Sequence, residues 1–171
     1  MYVINIVAGA GAGKSTTAAR VFSELKGMRV NAELVTEYAK ELVWGNNLEA
    51  LNDQLYILAK QNRRLSRIKG KVDIAVTDSP LFLNHFYVKK GELENTFRPL
   101  VRELCSQYNN LYYFIDRGDR PYNPKGRYQT EEVARADDGV LHQLLLSEGI
   151  EFIIIKSHED IMNDLKLRGI I

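Results

Sequence analysis

The sequence has little of what marks a secreted, membrane-bound or strongly basic protein. Its single cysteine, Cys105, excludes an internal disulfide, and we therefore expect a reducing, cytoplasmic environment. A net charge of +1 over 171 residues provides no overall field that would attract nucleic acid or an anionic membrane. No apolar run approaches the roughly 20 residues that cross a bilayer, and the apolar N-terminal run lacks the basic residues of a signal peptide. We expect no membrane association.

Proline is also scarce, with 4 residues in the whole chain, and no stretch rich in Pro, Gly or Ser divides it. The hydrophobic fraction of 45% and the charged fraction of 26% are ordinary for a globular protein. We therefore predict one domain over residues 1–171.

The N-terminal segment combines an apolar run, a loop of small residues and a helical pattern. Residues 2–7 are apolar, residues 8–16 read AGAGAGKST, and residues 17–25 have the pattern of a helix. This order is typical of a phosphate-binding loop, in which backbone N–H groups and a helix N-terminus bind a triphosphate. Ala8 replaces the usual first glycine, but it is small enough for the turn. The predicted nucleotide-binding residues are Gly9, Ala10, Gly11, Ala12, Gly13, Lys14, Ser15 and Thr16.

Two of these residues have specific predicted roles. Lys14 would contact the β- and γ-phosphates of ATP, and the Ser15 hydroxyl would be a ligand of Mg²⁺.

Apolar runs then alternate with helical patterns along the chain. This alternation predicts an α/β protein in which helices flank a five-stranded parallel sheet, and the phosphate loop after the first strand makes it the three-layer P-loop NTPase fold. The predicted strands are residues 2–7, 32–36, 72–77, 111–115 and 151–155.

Two carboxylates follow predicted strands at the edge where parallel sheets bind their ligands. Glu37 follows the second strand and is a candidate catalytic base for an attacking hydroxyl, although an acidic residue also suits the first turn of a helix. Asp78 follows the third strand and is a candidate for holding Mg²⁺ near the substrate, although an aspartate before Pro80 also suits a turn or helix cap.

The segment Leu48 to Ile68 has helical periodicity with two glutamines on its apolar face. Gln54 and Gln61 are seven residues apart, and a buried amide needs hydrogen-bond partners. Either other protein groups supply them, or both side chains line a pocket and recognise a base or carboxamide. The basic run from Arg63 to Lys71 suits a solvated helix C-terminus, with phosphate or nucleic-acid contact as the alternative.

Residues 117–129 contain glycines, prolines and cations, as expected of a short lid over the active site. Arg120 and Arg127 are the predicted catalytic arginines that stabilise charge on a migrating phosphoryl group, followed by Lys125 and Arg117. An ordinary solvated loop is the alternative.

The C-terminal part contributes a helix and two histidines without a predicted catalytic role. The helix is predicted over Gln129 to Ser147. We expect His142 and His158 to be exposed, and we assign His85, in an earlier helix, a structural role. The helix residues predicted to face the core are Val133, Val140, Leu141, Leu144 and Leu145.

Four motifs together give the chain a family resemblance: the phosphate loop, residues 35–39 (VTEYA), residues 77–80 (TDSP) and residues 125–132 (KGRYQTEE). With these motifs it resembles small P-loop kinases, above all deoxyribonucleoside kinases and nicotinamide riboside kinase-like proteins, including kinase-like proteins of phage genomes. The resemblance implies that Glu37 is the base for a sugar hydroxyl and that Gln54, with Gln61 one repeat later, reads the base of the substrate.

The resemblance also implies that Asp78 and Ser79 lie near the metal, and that residues 125–131 form the lid. In deoxyribonucleoside kinases Glu-Arg-Ser usually stands where this chain has Asp78-Ser79-Pro80, so the identity of the substrate stays open.

These observations predict an enzyme that uses ATP and Mg²⁺ to phosphorylate a nucleoside or nucleotide-like small molecule. The alternatives are a nucleoside monophosphate kinase, in which Arg63 and Arg64 would contact the acceptor phosphate, and a kinase acting on DNA or polynucleotide hydroxyls. A non-kinase NTPase is less favoured. None of these motifs defines an oligomeric state.

Overall fold

The computed structural model describes residues 1–88, 93–119, 121–122 and 130–171. Five strands are present: β1 (Tyr2–Val7), β2 (Ala32–Val35), β3 (Ile74–Thr77), β4 (Asn109–Ile115) and β5 (Phe152–Ile155). The helices of the described part are α1 (Lys14–Gly27), α2 (Ala39–Trp44), α3 (Gln54–Ser66), α4 (Asn84–Tyr87), α5 (Glu94–Ser106), α6 (Glu131–Ser147) and α7 (His158–Leu167), with short 3₁₀ turns at Ala50–Asn52 and Leu81–Leu83.

The strands form one parallel sheet in the order β2-β3-β1-β4-β5. β1 lies in the centre, where Ile4 pairs with Val76 of β3 and with Leu111 of β4. The five-stranded parallel sheet flanked by helices is the fold predicted from the sequence. Its strands begin at positions that differ by one or two residues for β3, β4 and β5.

Successive side chains of β1 point to opposite faces of the sheet and join different helical layers. Ile4 and Ile6 are fully buried in a cluster that includes Val21 of α1 and Leu165 of α7. On the other face, Val3 packs in a cluster with residues of α3 and α5, and Val7 in a cluster with residues of α6. This three-layer packing fixes the end of β1, and with it the position of the loop that follows.

Helix α3 begins later than the sequence pattern predicts. The side chain of Asp53 caps the helix by accepting a hydrogen bond from the backbone N–H of Tyr56 at 2.9 Å, so the regular helix begins at Gln54. The helical periodicity of residues 48–68 predicts that Leu55, Leu58 and Leu65 all face inward. Leu58 and Leu65 are buried, but Leu55 is 47% exposed.

The predicted core face of α6 is partly wrong. Val133 and Val140 are 45% and 55% exposed, and the buried residues of the helix are Ala134, Leu141 and Leu145. The inward face of the helix therefore includes Ala134, which lies close to Gly9 in the loop after β1. Thr130 caps this helix, since its side chain accepts a hydrogen bond from the backbone N–H of Val133.

The expectation that two histidines are exposed is also wrong. His142 is half-buried, with its ring 5.5 Å and 5.1 Å from the ring centres of Phe114 and Phe152. The His158 side chain is 12% exposed and lies 2.8 Å from a carboxylate oxygen of Glu24. His85 is buried, with Nε2 3.0 Å from the carbonyl oxygen of Arg98, in agreement with a structural role.

Among the described residues, no helix combines the length and the apolar character needed to span a membrane.

Candidate active site

The loop of residues 8–13 connects β1 to α1 and is shaped by close contacts. Ala8 is fully buried, which explains why a small residue replaces glycine there. A Cβ atom on Gly9 would lie 2.3 Å from the carbonyl oxygen of Ala134 on α6, so a side chain has no room. Gly11 has a φ of +78° and lies against the ring of Tyr122, so both its backbone conformation and its contact require glycine.

Lys14, the first residue of α1, folds back over this loop. Its Nζ donates hydrogen bonds to the carbonyl oxygens of Ala8 and Gly9 at 2.8 Å and 3.0 Å. Desolvation lowers the pKa of Lys14, while the carboxylates of Glu37, Asp78 and Asp138 act in the opposite direction. The ammonium group therefore lies within reach of the loop and in the field of three carboxylates.

A pocket of about 190 Å³ opens beside Lys14, at the carboxyl ends of β2 and β3. It brings together three of the predicted site residues, Ser15, Glu37 and Asp78. Its other lining residues are Thr36, Lys40, Glu41 and Trp44. Parallel sheets commonly bind ligands at this edge, so the arrangement suits transfer between a group on the phosphate loop and a second molecule in the pocket.

Asp78 is the residue of this pocket best suited to a metal ion. It is 4% exposed, and its Oδ1 has no hydrogen-bond partner within the described part of the chain. A buried carboxylate oxygen without a partner is costly unless a cation or water binds it. Together with the exposed Ser15 hydroxyl it forms an oxygen donor set of the kind that Mg²⁺ prefers.

Gln61 is held by the backbone of the segment after β2. Its Oε1 accepts a hydrogen bond from the Tyr38 N–H at 3.0 Å, and its Nε2 donates to the Thr36 carbonyl at 3.3 Å. Arg64 also donates to Thr36 and forms an ion pair with Glu41. Other protein groups therefore satisfy the buried amide of Gln61, which was the first of the two predicted alternatives. These contacts hold the backbone on both sides of Glu37.

Gln54 lies elsewhere. Seven helical residues correspond to about 10 Å along the axis, so the two glutamines have different surroundings. Gln54 lines a separate cavity of about 780 Å³, together with residues that include Asn47 and Phe97. Its Nε2 donates to the Leu51 carbonyl at 3.1 Å, while its Oε1 is buried and has no hydrogen-bond partner in the described residues. Of the two predicted substrate-reading amides, only Gln54 keeps a buried polar atom available.

Arg117, predicted as a lid cation, has a different role in the structure. It is 6% exposed, and its Nε lies 2.6 Å from Oδ2 of Asp138 on α6. The predicted catalytic residues Arg120 and Arg127, together with Lys125, lie outside the described residues.

Sequence reasoning missed Asp138, Trp44, Tyr87 and Tyr122. Asp138 had a detectable signal, because it follows Ala134 by four residues and precedes Leu141 by three, which places an acidic side chain on the buried stripe of α6. Tyr87 is 41% exposed, yet desolvation of its hydroxyl, together with the charge of Glu37, raises its pKa. No local pattern marks Trp44 or Tyr122.

The parallel sheet, its flanking helices and the loop after β1 define an α/β domain with the P-loop NTPase fold. The AAA domain family matches residues 3–160, and the chain belongs to this family. No curated protein matches the chain.

Two solved structures match the chain. The crystal structure of NadR protein in complex with NR superimposes with a TM-score of 0.70 at 21% identity over 90% of this chain. This chain spans 45% of the length of that NadR chain. The APS kinase CysC of Mycobacterium tuberculosis gives a TM-score of 0.43 at 18% identity, over 84% of this chain and 96% of the other. The NadR match shows that the two proteins share a fold.

Proposed function

We propose that this protein is an ATP-dependent kinase that transfers the γ-phosphoryl group to a hydroxyl of a nucleoside-like small molecule. One observation carries the proposal: the phosphate loop adjoins a pocket in which Ser15, Glu37 and Asp78 meet. A loop of this kind binds a triphosphate, and a carboxylate across the pocket supplies a base for the acceptor hydroxyl.

In the proposed reaction, the Glu37 carboxylate takes the proton of the acceptor hydroxyl as its oxygen attacks the γ-phosphorus. The bond between that phosphorus and the β,γ-bridging oxygen breaks, and ADP leaves with the electron pair. Lys14 stabilises the charge on the β- and γ-phosphates through the third N–H of its ammonium group, since the carbonyl oxygens of Ala8 and Gly9 accept hydrogen bonds from the other two.

Ser15 and Asp78 would hold Mg²⁺, which supplies charge neutralisation to the phosphates when bound. The unpartnered Oδ1 of Asp78 supports this assignment. Arg120 and Arg127 remain proposed as the arginines that neutralise charge during transfer.

The charges of the pocket favour an acceptor without a phosphate group of its own. The described lining residues include three carboxylates, those of Glu37, Glu41 and Asp78, and one ammonium group, that of Lys40. Arg64, one of the two arginines expected to contact the acceptor phosphate of a monophosphate kinase, is ion-paired with Glu41 and donates to the Thr36 carbonyl. The NR bound to NadR agrees with a nucleoside-like acceptor. Gln54 stays proposed as the residue that reads its heterocycle, which requires an acceptor that extends from this pocket into the cavity lined by Gln54.

The proposal is tested by ADP release from purified protein with Mg²⁺ and ATP against a panel of nucleosides, their monophosphates and oligonucleotides. We expect turnover with at least one nucleoside and none above background with the matching monophosphate. Turnover only with monophosphates or oligonucleotides would refute the acceptor assignment, and ADP release independent of any acceptor would indicate an NTPase.

A further inference from the structure

A partly buried ion pair lies on the side of the phosphate loop that faces α6. Asp138 of α6 uses both of its carboxylate oxygens: Oδ1 accepts a hydrogen bond from the Gly9 N–H at 2.5 Å, and Oδ2 accepts one from Arg117 Nε at 2.6 Å. Arg117 also donates to the Ala134 carbonyl at 3.2 Å. We call these two side chains the Arg117–Asp138 clamp.

The clamp acts on a peptide unit that also touches Lys14. The N–H of Gly9 and the C=O of Ala8 belong to one planar peptide and point in opposite directions. Asp138 holds the N–H, and the C=O accepts the hydrogen bond from Lys14 Nζ at 2.8 Å. Rotation of this peptide would therefore break both contacts together.

The surroundings leave that peptide few alternatives. The Gly9 Cα lies so close to α6 that an added Cβ would meet the Ala134 carbonyl oxygen at 2.3 Å. The Arg117 side chain is 5% exposed and that of Asp138 18%, so water has little access to replace their hydrogen bonds. Such a pair is expensive to desolvate and is weak evidence for stability alone.

We propose that the Arg117–Asp138 clamp is a positioning device that fixes the Ala8–Gly9 peptide and, through it, the place of Lys14 in the phosphate loop. The expected consequence for nucleotide affinity rests on the proposed function. Arg117 and Asp138 are positioning residues, since neither is required to touch the nucleotide.

The test has one arm that needs no ligand. Amide hydrogen exchange of Gly9 is measured in the unliganded protein for wild type, Asp138→Ala and Asp138→Asn. Asp138→Ala removes the acceptor, and we expect Gly9 to exchange about tenfold faster, as the loss of one charge-assisted hydrogen bond implies. Asp138→Asn keeps an oxygen acceptor, so its effect should be smaller.

The second arm measures the dissociation constant of a non-hydrolysable ATP analogue with Mg²⁺ by calorimetry. We expect Asp138→Ala to raise the constant about tenfold and Asp138→Asn or Arg117→Lys to raise it less, because each keeps part of the contact. Arg117→Lys and Asp138→Asn carry the test if the alanine variant does not fold.

Glu148→Ala is the matched control. Glu148 follows α6 and forms a two-point ion pair with Arg102, at 2.7 Å and 2.9 Å, away from the loop. We expect it to leave both Gly9 exchange and nucleotide affinity unchanged, whatever its effect on the melting temperature.

Unchanged Gly9 exchange in the Asp138 variants, or an equal increase in Glu148→Ala, would overturn the clamp. A wild-type protein that binds no nucleotide would overturn the proposed kinase, while the exchange arm would still decide the clamp.

Discussion

The two sides of the phosphate loop carry aspartates in opposite situations. Asp78, on the pocket side, is 4% exposed and has an oxygen without a partner in the described structure. Asp138, on the α6 side, has a partner for each oxygen, the Gly9 N–H and the Arg117 guanidinium. An oxygen of Asp78 on the pocket side is therefore available to a ligand, whereas both oxygens of Asp138 on the α6 side bind groups of the protein that hold the loop.

This difference makes the two sides respond differently to mutation. Changes on the pocket side should remove chemistry and leave the fold intact. Changes on the α6 side should lower the free energy of unfolding or alter the conformation of the phosphate loop.

The largest effect is expected on the pocket side from Glu37→Gln. Removal of the proposed base should lower kcat by about 10²- to 10⁴-fold, while the dissociation constant of Mg²⁺–nucleotide stays unchanged. Steady-state ADP release and calorimetry measure the two quantities. Glu33→Gln, at an exposed position of β2, is the control and should retain full turnover. Full turnover in Glu37→Gln would show that another group accepts the proton.

The two aspartates can be compared directly by their asparagine variants. Asp138→Asn leaves the buried Arg117 without a charge partner and should lower the free energy of unfolding by about 3 kcal/mol. Asp78→Asn removes a buried, incompletely partnered charge and should leave that free energy unchanged or higher, while turnover is lost. Urea unfolding of both variants checks the difference. Equal losses of stability would remove the distinction between the two sides.

Two glycines near α6 provide a smaller test of the close contact. Gly9→Ala would place its Cβ 2.3 Å from a backbone oxygen and should cost about 1–3 kcal/mol of stability. Gly139→Ala, at an exposed position of α6 with no atom within 4 Å of the added Cβ, should instead stabilise by roughly 0.5–1 kcal/mol. The melting temperatures of the two variants separate the steric contact at Gly9 from the backbone effect of replacing a helical glycine. A shift of the same sign in both variants would contradict the predicted contact between Gly9 and Ala134.

The smallest effect concerns the start of α6. Thr130→Ala removes the cap on the Val133 N–H and should lower stability by about 1 kcal/mol without changing nucleotide affinity. Thr130→Ser keeps the hydroxyl and should lose much less. A change in nucleotide affinity would show that the start of α6 affects the phosphate loop by a route other than the Arg117–Asp138 clamp.

The parts that could be predicted from the sequence are those encoded by local patterns. The phosphate loop, the five parallel strands and the meeting of Glu37 with Asp78 follow from apolar runs and from the rule that strand ends share one edge. The helical pattern did not predict the Asp53 cap, at which α3 begins. Gln54 and Gln61 share one helix face but are about 10 Å apart along its axis, so their surroundings differ.

The parts that could not be predicted depend on contacts between distant segments. Val133 and Val140 fit a helical stripe as well as Ala134 does, and the packing of α6 on the loop decides which residues face inward. Asp138, the partner of Arg117, lies 21 positions away in sequence. The composition of residues 117–129 therefore predicted that Arg117 is a mobile lid cation, whereas its side chain is buried against α6.

The position of Trp44 in the pocket makes its fluorescence a means of detecting ligand binding. It is the only tryptophan of the chain, it lines the pocket with Glu37 and Asp78, and it is 68% exposed. Indole emission depends on solvent contact, so a molecule that enters the pocket and covers this ring would alter the fluorescence of the unlabelled protein. The chain thus carries one indole as an intrinsic optical reporter, suited to screening acceptors before any assay of turnover exists.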